Sequence, residues 1–402
     1  MLFRSDDRPT EFSKVLYVEL LAPEGYVIKT EKYEIGEDGT CVGEIYLDPL
    51  YLSGFFEIRA YTRYMLNWGD SMAFSRVFPV FDKVNGNNWE FRNMLDRKRG
   101  FHAYDIDKEE NSEECILKFY PEGGYLVDGL ESRVAYEITC GGKECHEEIT
   151  ILDRKRVVLK TTPLHMGKGV FAFTPSAGAR YTAVVNVKNS KGKEKKYSFK
   201  LPDVESKGVA LQVHENDSCF RFDIKSTLPS SSSLAFALLH RSSIGFYNKI
   251  KSADTAFVYT PDVLPEGVCR AVVFNGEVPL AERLFFVEHD TLLKNDRAVV
   301  RLNITVNGKP VHKFTPAPHE RITVVAERCD SMPMESTAQF AVSVADGKGV
   351  QQLSWSYSMY TYLLLGSELK GYIPDVAQYF NPENRERKAH LDLLMMTNGW
   401  TA

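Results

Sequence analysis

The amino-acid sequence predicts an all-β fold of tandem antiparallel β-sandwiches, with short helices near the C-terminus. Hydrophobic residues fill 44% and aromatic residues 12% of the 402 positions, a composition that favours strands over helices. Short runs that alternate apolar and polar residues recur along the chain without helical segments between them. A long internal repeat also divides the chain into units of domain size. These three observations indicate sandwiches rather than a parallel sheet wound with helices.

Alternating runs locate the strands. The run at 15–21 (VLYVELL) is followed by the turn sequence APEG and by a partner strand at 26–35. Proline restricts the backbone angle φ and glycine tolerates positive φ, so the four-residue sequence APEG suits a hairpin turn. Further strands are predicted at 41–47, 55–62, 73–80, 115–119, 134–139, 157–161 and 181–187.

Three segments repeat one plan: an alternating strand ending near a proline, a turn that contains a glycine, and a second strand. They are 43–62, 169–187 and 256–274. A spacing of about 90–120 residues is too long for a solenoid unit and fits tandem domains of about 100 residues. The prolines that end the first strand are Pro49, Pro175 and Pro261, and the glycines that open the second are Gly54, Gly178 and Gly267.

The repeat and the local composition set the domain boundaries. A first sandwich is predicted at 1–82, followed by a polar linker at 83–112 that is rich in Asn, Lys and Asp. Three further sandwiches are predicted at 113–203, 204–290 and 291–402.

The last domain combines strands with helices. Strands are predicted at 298–306, 321–326 and 338–344, and the apolar cluster at 362–365 suits a helix packed on a sheet. A second helix is predicted to begin at Asn381, the N-cap, with Pro382 in the first turn. It should end near Met396, with Asn398 and Gly399 as its stop and Leu391, Leu394 and Met395 on one face.

Charge and hydropathy exclude two classes of protein. The net charge is −5 with both signs interleaved, so no basic stripe for nucleic acid is present. The short run 191–196 (KGKEKK) is interpreted as a solvated hairpin tip. No stretch approaches the roughly 18 apolar residues of a membrane span. Residues 1–9 lack the apolar core of a signal peptide, which taken alone indicates the cytoplasm.

Seven scattered cysteines do not predict a disulfide framework. Cys140 and Cys145 flank the hairpin-tip sequence GGKE and are placed to face each other, but whether they pair is left open. Together with His146 they resemble half of a metal site. A structural zinc site usually needs four ligands in paired short spacings, and the second pair is absent. No metal is therefore predicted, and small buried or edge thiols are expected.

No catalytic constellation is found, so the sequence predicts a protein that is not an enzyme and needs no cofactor. The nucleophile elbow, the zinc-binding His-Glu-x-x-His helix and the phosphate-binding glycine loop are all missing. Adjacent acids such as Glu147 and Glu148 point to opposite faces of a strand and are expected to be solvated. His165 has no nucleophile partner in the sequence and is expected to pack in a turn. Other candidates for a ligand groove are His240, Arg241, Tyr357, Tyr360 and Tyr362, with core packing as the alternative.

Several motifs resemble one family. Residues 53–69 (SGFFEIRAYTRYMLNWG) and 13–20 (SKVLYVEL) resemble macroglobulin-type (MG) domains of large bacterial outer-membrane proteins. Residues 119–127 (FYPEGGYLV) resemble the segment that opens the second domain of that family. Residues 364–373 and 391–400 resemble its closing helices. Because the matches span nearly the whole chain in order, the chain is similar to bacterial alpha-2-macroglobulin-like proteins associated with TonB-dependent receptors.

The resemblance implies tandem seven-stranded, immunoglobulin-like sandwiches outside the cytoplasm of a Gram-negative bacterium, at the outer membrane, periplasm or cell surface. It implies a TonB-dependent transporter in the same chain as a partner. It also implies that the chain is a fragment whose first domain lacks its opening strands, which leaves an unpaired sheet edge and explains the missing signal peptide. Members that trap proteases carry a Cys-Gly-Glu-Gln thioester, which is absent from this sequence.

Three functions follow as hypotheses. The first is a non-enzymatic array that binds or spaces other parts of a larger outer-membrane protein. The second is a protease-inhibitor module without a thioester, with 83–112 as its bait segment. The third is a glycan- or peptide-binding sandwich that presents aromatic side chains such as Trp68, Trp89 and Trp355. The ligand itself, protein or polymer, is not identified by the sequence.

Overall fold

The structure of the protein is a computed structural model. By their contacts, the residues fall into two compact units, one made of 1–287 with 346–402 and one made of 288–345. The predicted linker 83–112, the strand 338–344, Trp89, Trp355 and Tyr357 lie outside the described residues. The structure describes residues 13–22, 25–37, 39–47, 54–68, 73–80, 115–141, 143–188, 194–241, 243–289, 300–310, 320–328, 359–369, 373 and 376–398.

The N-terminal sheet has four antiparallel strands in the order β2-β1-β3-β4. β1 and β2 pair as neighbours, as the alternating pattern and the APEG turn predict. The predicted bounds of all four strands are confirmed within one residue. A 3-10 turn at Met65–Trp68 follows β3. The strands are β1 (Val15–Leu21), β2 (Val27–Glu34), β3 (Gly54–Tyr61) and β4 (Phe74–Val80).

The strand predicted at 41–47 is wrong. The odd-numbered residues of this segment line a cavity of about 390 Å³ together with residues of β1, whereas Val42 is exposed. Within the described residues, however, no strand pairs with its backbone, and only the Glu44 carbonyl accepts a hydrogen bond, from the Tyr33 hydroxyl at 2.8 Å. Alternation predicts an extended chain, but a strand also needs a neighbour to supply hydrogen bonds.

The second sandwich, residues 115–200, has a three-stranded sheet β11-β7-β5 and a four-stranded sheet β10-β9-β12-β13. The short strand β8 adds to β7. Alternate residues of both sheets meet in one core that includes Tyr136, Ile151 and Phe173. The strands are β5 (Cys115–Pro121), β6 (Leu126–Val127), β7 (Ser132–Cys140), β8 (Lys143–Glu144), β9 (Ile149–Asp153), β10 (Arg156–Thr161), β11 (Lys168–Phe173), β12 (Tyr181–Lys188) and β13 (Glu194–Lys200).

The third sandwich, residues 209–287, repeats this plan with sheets β15-β16-β19 and β18-β17-β20-β21. Its core contains several phenylalanines. The ring centroid of Phe222 lies 5.2 Å from that of Phe236 and 5.1 Å from that of Phe285. A short strand before it, β14, pairs in parallel with β6. The strands are β14 (Val204–Glu205), β15 (Val209–Glu215), β16 (Phe220–Ser226), β17 (Leu234–His240), β18 (Ser243–Lys249), β19 (Asp254–Tyr259), β20 (Gly267–Asn275) and β21 (Val278–Val287).

The internal repeat marks the crossover between the two sheets of a sandwich. In the second sandwich the chain passes from β11 in the three-stranded sheet to β12 in the four-stranded sheet, and β19 and β20 do the same in the third. Gly178, in the turn before β12, and Gly267, the first residue of β20, have φ of +78° and +101°, a conformation that only glycine adopts readily. The domain boundaries stay a prediction, and the two observed cores lie within the ranges predicted for the second and third sandwiches.

The unit 288–345 contains one described sheet, in the order β23-β22-β24. Its strands are β22 (Val300–Val306), β23 (Lys309–Pro310) and β24 (Ile322–Arg328).

The C-terminal segment is helical and packs on the third sandwich. A short helix, α1 (Met359–Thr361), continues as a π-helix at Tyr362–Gly366, and a 3-10 helix follows at Val376–Phe380. Leu365 is fully buried against this sandwich, as expected for a helix packed on a sheet. The last helix is α2 (Arg387–Asn398). No helix among the described residues is long and apolar enough to cross a membrane.

The predicted start of α2 at Asn381 is wrong. The Asn381 side-chain oxygen accepts the Glu383 N–H at 3.0 Å, and the Asn384 side-chain oxygen accepts the Glu386 N–H at 3.1 Å. These are two consecutive Asx turns, in which an asparagine side chain holds the backbone two residues ahead. They occupy the residues before α2, so the helix begins only at Arg387.

Candidate functional site

Charged side chains from both domains meet at the junction between the second and third sandwiches. Helix α2 lies across it. Leu393 and Met396 pack on the second sandwich against Ala135 of β7. Another side of the helix packs on the third sandwich, where Leu391, Leu394 and Met395 join Val268, Leu284 and Phe286 in one cluster. Each such buried side chain contributes about 1.5–3 kcal/mol of transfer free energy, so α2 holds both domains.

Four charged side chains cross this junction. Arg283 of β21 donates from Nε to the Glu122 carboxylate at 2.9 Å and from a terminal nitrogen to the Asp392 carboxylate of α2. Arg133 of β7 donates to Asp392 at 2.8 Å and to Glu122 at 3.4 Å. The Val213 N–H of β15 also donates to Glu122, at 3.2 Å. We call Glu122, Arg133, Arg283 and Asp392 the junction network.

The junction network is neutral overall because two guanidinium groups face two carboxylates. Burial alone raises the pKa of Asp392, but Arg283 and Arg133 outweigh it and hold this pKa below its ordinary value of 3.8. Burial likewise lowers the pKa of Arg133, and Glu122 with Asp392 reverses that effect, so the net shift is upward. The Asp392 carboxylate is therefore ionised at neutral pH. The Glu122 and Arg283 side chains are almost fully buried, and buried charges are costly unless they are paired. The pairing therefore favours one arrangement of the second sandwich, the third sandwich and α2.

Two cavities lie beside the junction network. One of about 240 Å³ is lined by residues 121–125, by 279–284 and by Met395 and Met396. The other, of about 330 Å³, is lined by Arg133, by 213–217, and by Lys388, Ala389 and Asp392. On the wall of the second cavity, Lys388 forms an ion pair with Glu215 at 2.9 Å.

A pair of stacked histidines makes a second contact across the same region. His165, in the turn before β11, stacks on His390 of α2 with ring centroids 4.0 Å apart and planes 9° apart. The Tyr379 hydroxyl lies 3.4 Å from His165 Nε2, and its ring meets His165 edge-on. The sequence predicted that His165 packs in a turn. In the structure its ring packs against the rings of His390 and Tyr379.

Cys140 and Cys145 are not partners. Cys140 forms a disulfide with Cys115, because the register of β5 and β7 places these two residues directly opposite each other. Cys145 is a buried free thiol whose pKa is raised by burial. His146 is exposed beside Glu144, at 3.9 Å. Among the described residues, no cluster of three His, Cys, Asp or Glu side chains is arranged to hold a metal ion.

Most of the other candidate residues that the structure describes lie at the C-terminal helical segment or at the end of β17, where His240 is partly buried. Arg241 pairs with Glu368 at 3.5 Å, which ties the end of β17 to the helical segment. The Tyr360 ring packs against Phe380 at 5.3 Å, while Tyr362 is half exposed. Glu147 and Glu148 are exposed, as expected for solvated acids. None of the three cavities of about 240, 330 and 390 Å³ in the described part of the chain is lined by these side chains.

The junction network is the feature that sequence reasoning missed. Its one local signal is the position of charges beside apolar residues: Arg283 directly precedes Leu284, Phe285 and Phe286 in β21, and Asp392 lies between Leu391 and Leu393. Glu122 belongs to the FYPEGGYLV motif. A charge flanked by buried residues needs a partner, but the pattern does not say which one.

Comparisons with known proteins identify no family for this chain. No protein-family model matches it, and no curated protein matches its sequence. Solved structures that align with it include the alpha-2-macroglobulin of Salmonella (11% identity, 80% of this chain, 25% of that chain, TM-score 0.20). They also include the native alpha-2-macroglobulin of E. coli (12% identity, 82% and 26%, TM-score 0.21) and a bacterial ice-binding adhesin (8% identity, 69% and 87%, TM-score 0.22).

The chain spans about a quarter of the length of these macroglobulins. At such identities and TM-scores the alignments support no conclusion about function. The all-β architecture rests on the sheets described above.

Proposed function

We propose that this chain is a non-enzymatic binding or spacing module, an array of macroglobulin-type sandwiches within a larger outer-membrane protein of the TonB-dependent receptor type. The observation that carries the proposal is the junction network together with α2. Two sandwiches joined by a flexible linker alone would rotate freely. Buried ion pairs and a helix that packs on both domains favour one fixed angle, which a spacer requires.

The Cys115–Cys140 disulfide supports an extracytoplasmic location. Disulfides persist in oxidising compartments such as the periplasm and the cell surface, and they are rare in the cytosol. The bond joins two strands within one sheet of the second sandwich, so it stabilises the domain that supplies Glu122 and Arg133.

Cell fractionation tests the location. The proposal expects the native protein in the outer-membrane fraction with Cys115 and Cys140 linked. Recovery in the cytosol with both thiols reduced would overturn the extracytoplasmic assignment.

A turnover assay tests the absence of catalysis. The purified chain is incubated with panels of peptides and polysaccharides, and we expect no product above a heat-denatured control. Sustained turnover that survives rigorous purification would refute the non-enzymatic role.

A further inference from the structure

The stacked histidines have the geometry of an acid-sensitive contact. His165 belongs to the turn between β10 and β11 of the second sandwich, whereas His390 belongs to α2. Their parallel stacking at 4.0 Å suits two neutral imidazoles, which attract through their π-systems. Two imidazolium rings at this distance would repel each other.

The surroundings offer little to offset a new positive charge. His390 Nδ1 is buried and has no hydrogen-bond partner within the described structure. On the His165 side, buried Lys168 is already a cation, and its ammonium group is engaged by Glu137 of β7. On the α2 side, Glu386 lies 3.5 Å from His390 Nε2 but is mostly exposed.

The remaining charged and titratable groups around the pair do not change this balance. Arg387 adds a second cation and donates to the Tyr379 carbonyl at 3.5 Å. Tyr379 contributes a neutral hydroxyl. Farther along α2, Asp392 is neutralised within the junction network.

We propose that His165 and His390 form an acid-released clasp that holds the segment 376–398 on the second sandwich at neutral pH and loosens it when His165 gains a proton. The direction follows from linkage. Burial first, and then the charges of His390 and Lys168, lower the pKa of His165 from its ordinary value of 6.5 to about 4. His165 therefore binds a proton more readily when the segment is undocked, so docking is fully stabilised above pH 6.5 and weakens as the pH falls toward 4.

Hydrogen exchange of the full chain tests the clasp. Amide protection of residues 387–398 is measured at pH 7 and pH 5 and corrected for intrinsic exchange with an unstructured peptide of the same sequence. We expect protection to fall roughly twentyfold in the wild type. His165→Gln should abolish the pH response, whereas the matched control His146→Gln, which changes an exposed histidine of the same sandwich, should keep it. An equal pH response in H165Q and wild type, or none in wild type, would overturn the clasp.

A second measurement keeps the proposal testable if H165Q undocks at both pH values. The His165 ring of the wild-type chain is titrated by NMR through its Cε1 proton. A midpoint below pH 5 supports the clasp, and a midpoint near 6.5 contradicts it.

Discussion

Replacing Arg283 with methionine should destabilise the two joined sandwiches strongly. The Arg283 side chain is 2% exposed and binds two carboxylates, Glu122 of the second sandwich and Asp392 of α2. Methionine keeps much of the apolar volume but removes the charge. Glu122 then retains only Arg133 and the Val213 N–H, and the junction network changes from neutral to a net charge of −1.

Removing one partner from a buried ion pair typically costs about 3–5 kcal/mol, because the remaining charge stays buried without compensation. The assay is urea unfolding of the full chain followed by far-UV circular dichroism. With a denaturant slope of about 2 kcal/mol per M, the unfolding midpoint should fall by about 1.5–2.5 M.

Arg270→Met is the matched control. Arg270 lies on the adjacent strand β20 and pairs with Glu282 at 3.3 Å, but its side chain is 46% exposed. An exposed pair of this kind contributes about 0–1 kcal/mol, so its midpoint should move by less than 0.5 M. Equal shifts in the two variants, or a shift below 0.5 M in Arg283→Met, would refute the reasoning that the junction network couples the domains.

Three further predictions concern the core, the disulfide and acid stability. Gly169→Ala should lower the melting temperature and cost about 1–3 kcal/mol, because its Cβ would lie 2.3 Å from the hydroxyl of fully buried Tyr136. Peptide mapping without reductant should find Cys115 linked to Cys140, and changing both to serine should cost about 3.5 kcal/mol in urea unfolding, given the sequence separation of 25. Because the pKa of Asp392 is below 3.8, its stabilisation is present above that pH and lost below it, so Asp392→Asn should reduce the loss of stability measured between pH 4 and pH 2. A melting temperature for G169A equal to wild type, a Cys140–Cys145 link, or an unchanged acid response in D392N would contradict the respective prediction.

Several strands of the second sandwich, and β19 and β20 of the third, were predicted because alternation along a strand is a local property. The run predicted at 134–139 is the centre of β7 (Ser132–Cys140), and the repeat located both crossovers between sheets. The segment 41–47 shows the limit of this signal. Its alternation is real, but pairing depends on a neighbour elsewhere in the chain.

The junction network was not predictable from local patterns, since its partners are far apart in sequence. Arg283 and Glu122 are separated by 161 positions, and Arg133 and Asp392 by 259. The same holds for Cys115 and Cys140, whose contact follows from the register of β5 and β7. A buried charge can be recognised in a strand or helix, but its partner is set by how the domains pack.

The most direct test of the account is the relative orientation of the two central sandwiches in solution. Residual dipolar couplings are measured for backbone amides of the full chain and fitted separately to 115–188 and 209–287. A fixed junction predicts that one alignment tensor fits both sets in the wild type and that Arg283→Met requires two. Two different tensors in the wild type would contradict the claim that the junction network and α2 hold the sandwiches at one angle.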